Sequence, residues 1–280
     1  LIEPNKFEWG KITEIQLIDF GFQTTLIVPV IVLTGAVFSH RLAWYYTGGV
    51  VMVLAGVVYP LIGRLHWGQG WLSDLGFHDF SGGMLVYGLA GAIILGFIVR
   101  RTLEDTGPIT ARWKRWMYLG IYLLVFGWQF SATLAMSDGE LPMHVVGVMA
   151  AASVGGVISC LVSSLMERRL DFRLVIHGLF AGSIAVSGMP DLITIPAAIL
   201  LAGLAGAFVV LVKAVLQHLR IYDPFDACAT LLLPGILSVT YPWTIPEASI
   251  SFGAQFFGMS IIFWGGLLFG FLASLLPKKC

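Results

Sequence analysis

Charge is the scarcest resource in this sequence. Only 11% of its 280 residues are Asp, Glu, Lys or Arg, against 58% hydrophobic. Soluble domains carry about 25% charged and about 45–50% apolar residues. A solvated surface cannot be built from this supply, which excludes a soluble enzyme and a disordered regulator. The 16 basic residues are matched by 16 acidic ones. No basic excess remains for phosphate contacts, and no nucleic-acid partner is expected.

Cysteine is also rare, with three in the chain and no CxxC pair. Cys160 and Cys228 lie in apolar stretches and Cys280 is the last residue, so small apolar fillers are the expected role. There is no Gly-rich phosphate loop, nucleophile elbow or HExxH. We therefore expect no catalytic residues, no metal and no cofactor. Residues 1–14 are mixed and polar, without a signal-peptide pattern. The chain opens on Leu1 rather than methionine, which leads us to expect that something upstream was processed or cut away.

What the chain has is apolar length. Its mean hydropathy is +0.88, and a membrane-crossing helix needs roughly 20 mainly apolar residues. Charged interruptions divide it into about nine spans: 16–39, 42–65, 79–99, 114–136, 142–166, 172–189, 191–217, 224–243 and 249–276. The expected fold is an all-α polytopic transmembrane helix bundle. A polar outer segment, 1–15, precedes one transmembrane domain, 16–276, and a short tail, 277–280, follows it. Alternating connections place Arg41, Arg100, Arg101, Arg112, Lys114, Arg115, Arg168, Arg169, Arg173, Lys213, Arg220, Lys278 and Lys279 on one side. Lys6, Lys11 and Arg64 fall on the other. The positive-inside rule then predicts an outer N-terminus and a cytoplasmic C-terminus. Glycine is abundant, 33 residues with many inside spans, and suits close helix–helix approach in lipid.

The most distinctive run is HWGQGWLSDLGFHDFSGG, residues 66–83. With its Trp67-Gly68-Gln69-Gly70 turn and its Asp79-Phe80-Ser81-Gly82-Gly83 helix start, it resembles the signature of the ammonium transporter (Amt/Rh) family. Other stretches follow the family's order: Phe22-Gln23, Phe126-Gly127-Trp128, the small-residue run 178–206, and Asp223-Pro224-Phe225-Asp226. The resemblance is collinear over most of 20–276 and places the nine spans on the family's third to eleventh helices, without its first two. It implies a homotrimer in the lipid bilayer, or a subunit of a larger membrane complex.

Trp67, Asp79 and Tyr87 are the candidate substrate-binding residues. Trp67 offers a π face for ammonium at the outer end, or else an interfacial anchor. Asp79 can cap free N–H groups beside two glycines, and by resemblance it shapes the outer site indirectly. The family carries two mid-membrane histidines and an outer phenylalanine. By resemblance these fall on Tyr87, eight residues after Asp79, on Leu231, five after Asp226, and on Leu26. Those three are degenerate pore positions: Tyr87 keeps a hydroxyl and Leu231 keeps no hydrogen-bonding group. His177 and His144 lie inside spans, where a bond to a neighbouring carbonyl is the plainer expectation. His66, His78, Asp74 and Asp79 gather in one loop without metal-motif spacing. Two functions follow: passage of ammonium, ammonia or another small neutral solute, or a non-conducting sensor or structural subunit.

Overall fold

The computed structural model of the chain describes residues 14–101, 120, 127, 141–168, 171–190, 192–241 and 250–277. Among them the architecture is helical throughout: α1 (Glu14–Arg41), α2 (Trp44–Val53), α3 (Tyr59–His66), α4 (Trp71–Asp74), α5 (Leu89–Arg101), α6 (Leu141–Glu167), α7 (Phe172–Ser187), α8 (Ile195–His218), α9 (Ala227–Thr240) and α10 (Phe252–Ala273). Two π-helical turns interrupt the α geometry. One, Leu54–Val58, joins α2 to α3, and the other, Gly83–Gly88, leads into α5. Among the described residues five helical stretches are long and apolar enough to cross a membrane, and three shorter apolar helices accompany them. A helix stands where eight of the predicted spans were placed, and the span at 114–136 lies outside the described residues.

One helix forms the centre. Residues 81–94 are buried without a break, as expected for a helix that is apolar on all sides. α10 lies along it on glycine: a Cβ on Gly96 would come within 2.9 Å of the Leu267 carbonyl carbon, and one on Gly270 within 2.7 Å of that of Ile93. α6, α7 and α8 meet in the same way. A Cβ on Gly155 would stand 2.8 Å from the Gly182 Cα, and one on Gly206 would stand 2.9 Å from the Gly155 carbonyl carbon. Lipid supplies no hydrophobic drive between helices, so close backbone approach is what holds such seams. The outward faces carry exposed Trp44, Met52, Phe256, Trp264 and Leu268, the surface an apolar solvent requires.

Chain direction follows from the cross-links. The end of α7 lies beside the segment leading into α5, where Phe80 N–H donates to the Gly188 carbonyl at 2.6 Å and Ser81 N–H to that of Ser187 at 3.1 Å. α9 starts near the beginning of α7, with Thr230 at 2.8 Å from His177. Its far end reaches the α5 side through Gln255 of α10. That side chain donates to the carbonyls of Val239 at 3.1 Å and His78 at 2.9 Å, and accepts from His78 N–H at 2.7 Å. α5 and α9 therefore run antiparallel against each other.

Candidate functional site: two aspartate-capped helices and a buried aromatic cluster

The turn after α3 is set by tight backbone. Gln69 adopts φ 54, and a Cβ on Gly70 would stand 2.6 Å from the Arg64 carbonyl oxygen. The chain thus folds back so that Trp67 covers Gly82, whose φ of 80 is left-handed and whose absent Cβ would meet the Trp67 ring at 3.0 Å. Trp67 is only 8% exposed, and its indole N–H donates to the Asp79 carbonyl at 3.1 Å. His66 adds Nε2 at 3.3 Å from the same carbonyl and 3.2 Å from the Asp79 N–H. The indole that the sequence offers as an outer π face is largely enclosed, and its polar edge holds the backbone of Asp79.

Asp79 is fully buried. The sequence places it at the first position of a span, but the helix starts four residues later, at Gly83. An ordinary N-cap serves the second or third N–H of its helix. Here Oδ2 reaches further, accepting from Met84 N–H at 3.0 Å and Leu85 N–H at 2.7 Å. The backbone can present both donors to one oxygen because it is π-helical there, with Tyr87 N–H 3.4 Å from the Gly82 carbonyl, an i to i+5 contact. Oδ1 has no hydrogen-bond partner among the described residues.

Asp223 repeats the arrangement ahead of α9. Its Oδ1 accepts from Cys228 N–H at 3.1 Å and its Oδ2 from Ala229 N–H at 3.0 Å. Both aspartates therefore hold the N–H groups five and six residues downstream. Eight residues downstream of each comes a candidate pore position, Tyr87 in one case and Leu231 in the other. The two segments cross on glycine, since a Cβ on Gly235 would come within 2.6 Å of the Gly88 Cα.

The remaining candidates fall into one buried cluster. Leu26, Trp67, Tyr87 and Leu231 all belong to it, with Leu26 at 1%, Tyr87 at 2% and Leu231 at 0% exposure. Phe180 of α7 meets Tyr87 edge to face, with centroids 5.6 Å apart. The cluster also holds Tyr59, a residue that the sequence reading passed over. Its hydroxyl is buried without a hydrogen-bond partner among the described residues, and Asp79 and Tyr87 lie within electrostatic range of it. The signal was a tyrosine beside Pro60, eight residues ahead of Trp67 and inside an apolar run.

His177 is 1% exposed and is not a lone histidine bonded to a carbonyl: its ring meets the Thr230 hydroxyl at 2.8 Å and lies 3.6 Å from Asp226. The His66 ring is engaged with the Asp79 backbone, and His78 offers its own backbone to the Gln255 side chain. Phe126 and Trp128 lie outside the described residues, as do the side chains of Phe22, Gln23 and His144.

Comparison with known proteins bears on what such a bundle does. The model of the Ammonium Transporter Family matches residues 2–244. Ammonium transporter Amt2 of Haloferax mediterranei is 31% identical over 242 residues, covering 74% of this chain and 52% of that protein. Ammonium transporter 3 of Dictyostelium discoideum is 28% identical over 263 residues, covering 88% of this chain and 59% of that protein. The chain thus spans a little over half the length of these relatives. Among solved structures, Nitrosomonas europaea Rh50, of the Rhesus family of channels, superposes with a TM-score of 0.75 at 19% identity, covering 91% of this chain and 70% of that one. A structure described as a sensor Amt protein gives 0.76 at 20% identity, covering 93% and 70%. At these identities the superpositions establish the fold.

Proposed function

From the premise that this chain belongs to the ammonium transporter family, we propose that it passes ammonia, or another small neutral solute, through the buried cluster between the two aspartate-capped segments. The observation that supports this most is the pair of caps, which holds Tyr87 and Leu231 at equivalent positions around the Gly88–Gly235 crossing. Carrying a bare charge through apolar surroundings is costly, so a neutral solute is what an aliphatic and aromatic lining favours. Tyr87 supplies a hydroxyl that both donates and accepts. Leu231 supplies none, so no two-histidine relay operates at these two positions. Trp67 and Asp79 shape the outer end of this path.

We place this integral, multi-pass membrane protein with its N-terminus outside and its C-terminus in the cytoplasm, on the basis of the distribution of basic residues. It assembles as a homotrimer or within a larger membrane complex. A second reading is favoured by the near-complete burial of Leu26, Tyr87 and Leu231. In that reading the fold is a closed, non-conducting bundle that serves as a sensor or structural subunit.

An ammonium pulse applied to oriented proteoliposomes, with current and internal pH recorded together, separates the two. Transport predicts a saturable signal above empty liposomes that changes in Tyr87→Phe. Folded, inserted protein that gives no signal overturns transport and leaves the non-conducting reading.

A further inference from the structure

We infer that His177 of α7 and Asp226, at the start of α9, together form a proton-binding site at the end of the bundle opposite Asp79. This goes beyond the transport reading and does not depend on it. The hydroxyl of Thr230 stands 2.7 Å from the Asp226 carbonyl and 2.8 Å from His177 Nδ1. A carbonyl only accepts, and a threonine hydroxyl has one proton to give. That proton goes to the Asp226 carbonyl, so Nδ1 carries a hydrogen and donates it to the Thr230 oxygen. A neutral imidazole has only one N–H, which leaves Nε2 as the basic nitrogen. Nε2 faces the carboxylate Oδ2 of Asp226 at 3.6 Å.

A lone pair facing a carboxylate makes no hydrogen bond with it. One added proton changes this, giving a charge-assisted N–H···O link between the helices. The step is simple proton uptake: hydronium gives its proton to Nε2 and leaves as water. The surrounding charges are mixed. Lys213 of α8 has Nζ 3.8 Å from the same Asp226 oxygen. Asp171 and Arg173, at the start of α7, also act on the His177 ring, and Asp223 acts on the same stretch from ahead of α9. The backbone at the acceptor is unusual as well. Phe225 has φ 66 and Asp226 φ 47, two consecutive left-handed residues without a glycine, of the kind that concentrates at switch regions. Thr230, which fixes the tautomer, directly precedes Leu231. Proton occupancy thus ties α7 to the strained turn that places Leu231.

The test uses the full chain in lipid nanodiscs. Residues 176 and 177 are the sequence's one Ile-His pair, so 13C-carbonyl isoleucine with uniformly 13C,15N-labelled histidine selects the His177 amide by NMR and carries the assignment through its side chain to the ring nitrogens, without a mutation. At neutral pH the ring is expected as the Nδ1–H tautomer, with Nε2 taking up a proton on acidification. Asp226→Asn is expected to weaken that uptake about tenfold, one pH unit in the midpoint. Thr230→Val is expected to shift the ring toward the Nε2–H tautomer, and it serves alone if Asp226→Asn does not fold. An Nε2–H tautomer in the unsubstituted protein at neutral pH overturns the inference. So does an unchanged midpoint in Asp226→Asn, or an unchanged tautomer in Thr230→Val.

Discussion

Asp79 and Asp223 cap their helices with the same spacing but divide the work between their oxygens differently, and asparagine should expose the difference. At Asp79 both N–H groups, from Met84 and Leu85, point at Oδ2. An asparagine can set its one carbonyl oxygen there and keep both bonds, turning its NH2 toward the place where Oδ1 has no hydrogen-bond partner among the described residues. Charge assistance is lost, and a buried NH2 takes the place of a buried oxygen, neither with a hydrogen-bond partner among the described residues. A charge-assisted bond contributes about 1.5–3 kcal/mol and a neutral one about 0.5–1.5, so weakening both bonds in Asp79→Asn should cost about 2–3 kcal/mol, less what is regained by no longer burying a charge. At Asp223 each oxygen takes one donor, Cys228 N–H on Oδ1 and Ala229 N–H on Oδ2. An asparagine there must turn its NH2 against a backbone N–H, leaving a buried donor unsatisfied at a further cost of about 1–3 kcal/mol. Asp79→Ala strands two donors and should cost about 2–6 kcal/mol. Heating the detergent-solubilised variants and measuring the folded fraction by fluorescence-detected size exclusion gives the ranking. Asp79→Asn should melt closest to the parent, with Asp223→Asn and Asp79→Ala well below. Equal losses for the two asparagine variants, or an alanine no worse than asparagine at 79, would refute the oxygen-by-oxygen argument.

The glycine seam between α5 and α10 makes a second prediction. Gly270→Ala drives a methyl to within 2.7 Å of Ile93 backbone and should cost roughly 1–3 kcal/mol by overpacking. Gly265→Ala, on the same helix with nothing within 4 Å, should be neutral or stabilising by about 0.5–1 kcal/mol, and the two melting temperatures should move in opposite directions. The cap of α7 makes a third. Burial works against the Asp171 carboxylate, but the hydrogen bonds and charge of Arg173 outweigh it and hold its pKa below the usual value. Its stabilisation is then present above the ordinary aspartate pKa of about 3.9 and disappears as pH falls through the lowered value. Asp171→Ala should cost about 1 kcal/mol at neutral pH, and its melting temperature should converge with the parent's only below about pH 4.

Composition makes the membrane class legible, because so few charges leave no other solvent for the surface, and the length of the apolar runs makes the spans helices. The run 66–83 marked the site, and the aspartate beside two glycines announced a cap. Its reach did not show. Asp79 brings both N–H groups to a single oxygen across a π-helical turn, and no local preference distinguishes Gly83–Gly88 from an α-helical start. Tyr59 and Gln255 were missed for a related reason. Gln255 bonds the backbone of His78, 177 residues away, and Tyr59 lies within electrostatic range of Asp79 and Tyr87 only once the chain is folded, so periodicity reveals neither. The sequence points His177 to a neighbouring carbonyl because its partners, Thr230 and Asp226, lie some fifty residues further on.

The antiparallel run of the two capped helices has an electrical consequence. Each helix directs the positive end of its backbone dipole toward its own start, and the starts of α5 and α9 lie at opposite ends of the bundle. A carboxylate sits at each start, Asp79 at one and Asp223 at the other. The two dipoles therefore oppose, and each is offset by its own counter-charge. The two backbones together contribute no net direction along their crossing, and the asymmetry of the two segments lies in the side chains that differ between them, Tyr87 against Leu231 first among them.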